Sequence, residues 1–368
     1  MVTIDEQIAE IEEEISSTKY NKATQHHIGK LKAKLARLRV ESEARAASKG
    51  GGKGYAIRKS GNATVAIVGL PSSGKSTLLN KLTQADSEIG HFDFTTTTVV
   101  PGTLKHRGAN IQMLDLPGLI AGASKGKGRG REVLAVVRTA DMILLLVDVY
   151  RPEAYVLIRE LNIAGLRLNE READIVITPR NRGGINVRST VKLTILDDEL
   201  VTAMVRAYGL VNADVVLRQD VDEDQLVDYL QGNRRYVMAM AAVNKIDAVP
   251  EATWHPIVDD LETMGFPVVP ISADKDTNLE LLKDTIFENL DLMRIYMRPR
   301  GGETDYEEPL IIRCGATVRD VCDTIHREIK RKFRFANVWG ESAKFPGQSV
   351  GLTHILQEGD VITLVQRR

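Results

Sequence analysis

Cysteine is almost missing from this chain of 368 residues, which has only Cys314 and Cys322. Two thiols on one strand and the helix after it make neither a disulfide framework nor a zinc cluster, so both are expected to be packing residues. Long apolar runs are missing too. The longest, Tyr236 to Val243, and the run Met142 to Val147 with Val149 beyond Asp148 fall far short of the roughly 20 residues a membrane helix needs. No membrane partner is expected. Lysine and arginine are absent from residues 1–18, which carry Asp5, Glu6, Glu10, Glu12, Glu13 and Glu14. That is the reverse of a secretory leader, and a cytoplasmic location is the expectation. The net charge of −1 hides an uneven distribution, because residues 19–39 hold seven Lys/Arg and no acid. Local patches therefore matter more than the overall balance. No solenoid-type repeat is present.

With 43% hydrophobic residues, the chain can bury a sizeable core, and its length fits two or three domains. Ile4, Ile8, Ile11 and Ile15 mark one helical stripe, and Ile28, Leu31, Leu35 and Leu38 mark a second. Their opposite charges favour an antiparallel hairpin over residues 1–47, rather than a dedicated RNA-binding arm. The hairpin can still dock on a partner. Residues 48–62, opening with "SKGGGKG", read as a linker.

Over residues 63–169 and 236–298, short β-branched runs alternate with helical stretches, the pattern of an α/β domain with a parallel sheet. The strands expected are Thr64–Gly69, Ile111–Asp115, Met142–Asp148, Val237–Asn244, Val268–Ser272 and Arg294–Met297. Residues 170–235 carry too much pattern for a loop and read as an inserted α+β subdomain. Residues 303–368 form a compact unit with a strand at Leu310–Cys314, a helix at Val318–Lys330 and short strands to the end.

"VAIVGLPSSGKSTLLNKL", residues 65–82, runs from a strand through a turn of small residues into a helix. It fits G-x-x-x-x-G-K-[ST] at Gly69, Gly74, Lys75 and Ser76, with Pro71, Ser72, Ser73 and Thr77 completing the loop. Peptide N–H groups wrap a phosphate here only where side chains stay clear. Lys75 then neutralises the β/γ-phosphates and the Ser76 hydroxyl ligates Mg²⁺. "VNKID" places Asn244, Lys245 and Asp247 at the end of a strand, where open α/β sheets bind ligands. The Asp247 carboxylate suits the N1–H and N2 amino donors of guanine, which adenine lacks, and the Lys245 stem can cover the base. "ISA" follows at the end of another strand, with Ser272 and Ala273, whose N–H is expected to face the guanine O6. "LDLPG" offers Asp115 to Mg²⁺ through water and the Gly118 amide to a γ-phosphate. In "FDFTTTTVVPG" one threonine of 95–98 must complete the Mg²⁺ shell, and Thr96 is the choice.

Together these motifs resemble the Obg-like group of translation-factor-class GTPases. More narrowly, the chain is similar to the developmentally regulated GTP-binding protein family of archaeal and eukaryotic type. The resemblance extends over the hairpin, "GLPSSGKSTLLNKLT", "FDFTTTTVVPGTL", "LDLPGLIAGASKGKGRGREVLAVVRTAD", "GGINVRST", "NKID" and a C-terminal unit similar to a TGS domain. It implies a P-loop GTPase core interrupted by a small insertion, a ubiquitin-like β-grasp tail, GTP/GDP and Mg²⁺ as ligands, and ribosomes or ribosomal RNA as partners, with a regulatory protein as a further one.

Two departures bear on mechanism. Leu119 stands where Ras-like enzymes hold a water-orienting glutamine, so the unaided rate is expected to be slow. Ser72, a weaker oxygen ligand, stands where K⁺-dependent relatives have asparagine, which leaves K⁺ activation open. Arg129 and Arg131 lie in "GASKGKGRGRE", as an internal arginine finger or as part of a solvated loop. In the tail, "HREIKRKFRF" interleaves Arg327, Lys330, Arg331, Lys332 and Arg334 with Phe333 and Phe335, as an RNA surface or as a helix whose apolar half faces the core. The reading is a GTPase switch that hydrolyses GTP at the ribosome. Its rival is a ribosome- or RNA-binding module with a structural GTP site. An ATPase is argued against by Asp247.

Overall fold

The computed structural model describes residues 3–22, 24–49, 61–83, 100–116 and 136–367. Thr96, Gly118, Leu119, Arg129, Arg131 and most of the expected linker lie outside the described residues. In chain order the strands are β1 (Ala63–Gly69), β2 (Val100–His106), β3 (Ala109–Asp115), β4 (Met142–Asp148) and β5 (Leu166–Leu168). Next come β6 (Ile175–Pro179), β7 (Ile185–Ser189), β8 (Ala213–Leu217), β9 (Arg235–Asn244) and β10 (Val268–Pro270). Last are β11 (Leu292–Met297), β12 (Asp305–Arg313), β13 (Phe333–Trp339), β14 (Gln348–Val350) and β15 (Val361–Gln366). These residues form two compact units, one of Met1–Tyr55 with Gly165–Tyr236 and one of Ala56–Ala164 with Val237–Arg368.

In the larger unit a sheet runs β10-β9-β4-β1-β3-β2. All neighbours are parallel except β2, which returns antiparallel to β3. The expected parallel sheet thus carries one antiparallel strand at this edge. Arg107 (φ +48°) and Gly108 (φ +82°) both have positive φ, so a two-residue primed turn closes a hairpin the apolar pattern does not announce. β1 and β4 are buried along their whole length, as continuous apolar runs must be between two helical layers. Ile67, Met113, Leu144 and Leu146 share one core with Leu78 and Leu82 of the Lys75–Thr83 helix and with Leu282 and Ile286 of the Leu279–Asn289 helix.

β11, expected in this sheet, belongs instead to a second sheet of the same unit, ordered β12-β11-β15-β13-β14. β11 and β15 run parallel and the other pairs antiparallel. Val318, Val321 and Cys322 pack against Met293, Ile295, Val338 and Ile362. The strand serves both cores, since Leu292 joins the first cluster and Met293 the second. The expected continuous helix is broken at His326, whose extended backbone (φ −170°, ψ 135°) separates Val318–Ile325 from Arg327–Arg331. Cys322 is buried as expected. Cys314 is exposed, a correction to its reading as packing.

In the smaller unit the helices Ile4–Ser17 and Gln25–Lys49 form the expected hairpin. Ile11, Leu35 and Leu38 make its seam, and Glu12 holds Arg39 at 2.7 Å. The hairpin is also part of a larger core. Ala33 and Ala36 are buried with Leu200, Val201 and Met204 of the Asp198–Tyr208 helix, and the bare Cα of Gly29 lets the two helices close on Leu200 and Met204. Tyr20 and Gln25 both donate to the buried Glu223, at 2.9 and 2.7 Å. A three-stranded sheet, β6-β8-β7, completes the layer. Asp228 is clasped by Arg167 (2.5 Å) and Arg234 (2.7 Å).

Candidate functional site

The C-terminal ends of β1, β3, β4 and β9 converge on one rim, because their parallel registers align Ile67 with Asp115 and Asp148 with Asn244. Gly69 ends β1, Pro71 and Ser72 are exposed, Ser73 is buried, and Lys75 opens the helix. Gly74 has φ +94°, and a Cβ there would sit 2.5 Å from Asn244 Nδ2. The motif glycine thus allows a conformation and a contact that no other residue allows together. The loop brings small residues and their peptide groups to a helix N-terminus, the arrangement suited to an anion.

Lys75 is only 8% exposed, and its ammonium donates to Gly69 O at 3.1 Å and Leu70 O at 3.0 Å. Burial pushes its pKa down from the ordinary lysine value, partly offset by the charge of Asp115. Ser76 and Thr77 are exposed on the first turn. Ser76 Oγ donates to Asp115 Oδ2 at 2.6 Å, so the two expected metal groups lie side by side. A hydroxyl and a carboxylate are hard oxygen donors, and this pair fits a Mg²⁺ ion. The Ser73 hydroxyl is buried without a hydrogen-bond partner.

On the base side, Asn244 is 2% exposed and ties three segments together. Its Nδ2 donates to Ser73 O at 2.9 Å, and its Oδ1 accepts from Lys245 N at 2.9 Å and Ala273 N at 3.0 Å. The Ala273 N–H, expected to face the guanine O6, donates here to Asn244 Oδ1. Ser272 is fully buried and its hydroxyl accepts from Lys275 N at 3.1 Å. Lys245 has φ +70°, and its ammonium reaches Ser72 O at 2.9 Å and Asp148 Oδ2 at 2.5 Å. Asp247 lies in the short Ile246–Ala248 turn with its side chain exposed, so its carboxylate stays open for a ligand. Asp148 is the residue the motifs miss. Its part depends on strand register, which no local spacing encodes.

The C-terminal basic segment divides. Lys330 is spent on Asp323 at 2.6 Å, while among the described residues no carboxylate pairs with Arg331, Lys332 or Arg334. Phe333 packs against the core of the sheet, and the Arg334 guanidinium lies 5.7 Å from the centroid of the Phe335 ring. No helix among the described residues is long and apolar enough to cross a membrane.

Comparison with known proteins agrees with this layout. A family described as "50S ribosome-binding GTPase" matches residues 64–178, "C-terminal region of MMR_HSR1 domain" matches 182–292, and "TGS domain" matches 293–366. A GTP-binding protein of Methanocaldococcus jannaschii is 52% identical over 366 residues, covering 99% of this chain and 93% of that one. The human developmentally-regulated GTP-binding protein 2 is 43% identical over 367 residues, covering 98% of this chain and 99% of that one. Among solved structures, the Schizosaccharomyces pombe YchF GTPase aligns with a TM-score of 0.48 at 15% identity, over 84% of this chain and 99% of that one. With its phosphate loop, its guanine-type clamp and its TGS tail in one chain matched end to end, this GTP-binding protein belongs to the developmentally regulated GTP-binding protein family.

Proposed function

We propose that the chain is a Mg²⁺-dependent GTPase, cytoplasmic, and acting as a conformational switch on or near the ribosome. The observation that carries this reading is the convergence of Lys75, the Ser76–Asp115 pair and the Asn244 clamp on one rim of the sheet. In it, water attacks the γ-phosphorus, the bond to the β–γ bridging oxygen breaks, and GDP leaves with that electron pair. Lys75 exchanges its contacts with Gly69 O and Leu70 O for β/γ-phosphate oxygens. Peptide groups of Gly69 to Thr77 wrap the phosphates, and Asp247 reads the guanine N1–H and N2 donors while the Lys245 stem covers the base. Ser76, Asp115 and Thr96 would hold Mg²⁺, which when bound neutralises phosphate charge. Thr96 and Gly118 order around the γ-phosphate and relax after its loss, the usual basis of a GTPase switch.

Leu119 cannot orient water, so the unaided rate is slow, on the order of 10⁻⁴ to 10⁻² per second. Ser72 as a K⁺ ligand, Arg129 or a partner protein would supply the missing stabilisation. A faster rate in K⁺ than in Na⁺ selects the first. The TGS-like unit provides recognition, with Arg331, Lys332 and Arg334 toward ribosomal RNA. For domain bounds we keep the hairpin at 1–47, the G domain at 63–169 and 236–298, the insertion at 170–235 and the tail at 303–368. Within that scheme β11 joins the tail's sheet.

The test is single-turnover GTP hydrolysis with and without ribosomes, alongside co-sedimentation with ribosomes in GDP and in a non-hydrolysable GTP analogue. Hydrolysis together with nucleotide-dependent sedimentation is the expected result. Sedimentation indifferent to nucleotide, with negligible turnover, would leave a binding module with a structural GTP site.

A further inference from the structure

We propose that Asp148 is a positioning residue of the guanine subsite, holding the Lys245 side chain against the phosphate loop before nucleotide arrives. This rests on the reading of Lys245 as a wall of the base pocket. A lysine stem has four rotatable bonds, and ordering it costs conformational entropy. A site that leaves the stem loose makes the ligand bear that cost. Here the stem is held at both ends. Its backbone N–H is fixed by Asn244 Oδ1 at 2.9 Å, and its ammonium is bridged between Ser72 O at 2.9 Å and Asp148 Oδ2 at 2.5 Å.

The carboxylate that does this is itself oriented. Asp148 ends β4, directly beside Asn244 in the parallel register, and its side chain is 10% exposed. Its second oxygen, Oδ1, accepts from Tyr150 N at 2.9 Å, and its carbonyl accepts from Arg151 N at 2.9 Å, so a tight turn aims Oδ2 at the lysine. The lysine's own backbone is in the left-handed region (φ +70°), which a residue with a Cβ adopts only against a steric cost. These contacts keep Lys245 in a conformation that its propensity alone would not choose.

Asp148→Asn separates this role from a structural one. The amide oxygen still accepts from Tyr150 N, but the group turned to Lys245 becomes a donor facing a donor. GDP affinity should fall about five- to tenfold, the scale of one partly exposed charge-assisted hydrogen bond. Affinity for tripolyphosphate, which has the phosphates and no base, should stay unchanged. In a Lys245→Met background, where the stem remains and the ammonium is gone, Asp148→Asn should have no further effect on GDP. Asp148→Ser, which also caps the turn, is measured in parallel, with melting curves of all variants, so that a folding defect in one leaves the other decisive. Unchanged GDP affinity in both variants, additive losses in the double variant, or an equal loss for tripolyphosphate would overturn the inference. Failure of the wild type to bind GDP would instead sink the guanine reading on which it stands.

Discussion

Asn244→Ala is the substitution whose cost the structure states most directly. Three hydrogen bonds disappear together: Nδ2 to Ser73 O at 2.9 Å, and Oδ1 from Lys245 N at 2.9 Å and Ala273 N at 3.0 Å. Each is worth about 1 kcal/mol, and a buried partner left without water costs about 1–3 kcal/mol more. Asn244 is 2% exposed and Ala273 likewise 2%, so at least one orphaned group stays dry. Losing the brace on the left-handed Lys245 adds to this. The three bonds and one orphaned group sum to about 4–6 kcal/mol before that brace is counted. Urea unfolding followed by tryptophan fluorescence is the assay, because Trp254 and Trp339 both lie in the larger unit. At an m value of about 2–3 kcal/mol per molar urea, the midpoint should drop by roughly 1–3 M. Asn244→Asp sharpens the test. An ionised carboxylate cannot donate to Ser73 O and repels it, whereas a protonated one can donate. This variant should therefore be at least as unstable as Asn244→Ala near neutral pH and recover relative to it in acid. A loss below about 1 kcal/mol for Asn244→Ala would refute the view of this side chain as the tie between the three loops.

Other outcomes follow from single contacts. Asp247→Asn should weaken GTP binding and gain xanthine nucleotide, checked by competition binding, and equal affinity of the wild type for ATP and GTP would refute it. Asp228→Ala removes the carboxylate that clasps Arg167 and Arg234, 14% and 13% exposed, and should cost about 3–5 kcal/mol, seen as faster hydrogen exchange across residues 165–236. Replacing Arg331, Lys332 and Arg334 together by Gln should flatten the salt dependence of ribosome or RNA binding by roughly 2–3 in log–log slope, and an unchanged slope would make this a solvated face. Burial disfavours the charged form of Lys75, so the empty protein gains stability from this group as pH rises from its lowered pKa toward 10.5. Bound phosphates reverse that preference, so nucleotide binding in this window should take up a proton. Calorimetry in buffers of differing ionisation heat measures it, and zero uptake would count against the phosphate contact.

What the sequence disclosed, it disclosed through short spacings. Gly69, Gly74, Lys75 and Ser76 sit within one strand–loop–helix, and Asn244 with Lys245 and Asp247 sit in one turn, so local chemistry was enough to name them. The misread parts depend on pairings between distant segments. "LMRIYM" has the composition of a strand in either sheet, and it joins β15 and β12 because Met293 and Ile295 face the C-terminal core while Leu292 faces the other. β2 was hidden because its partner is reached through Arg107–Gly108, a turn without the usual Asn-Gly signal. The hairpin's place was hidden for a related reason: Gly29, Ala33 and Ala36 carry little apolar signal of their own, yet small residues are what a close helix contact selects. Asp148 follows the same logic at the site. A carboxylate after an apolar strand reads as an ordinary strand end until the β4–β9 register sets it beside Asn244, one residue from Lys245. Residues that meet a ligand through a contiguous loop can thus be read from spacing, whereas those that hold such residues in place become visible only when the sheet aligns its strand ends.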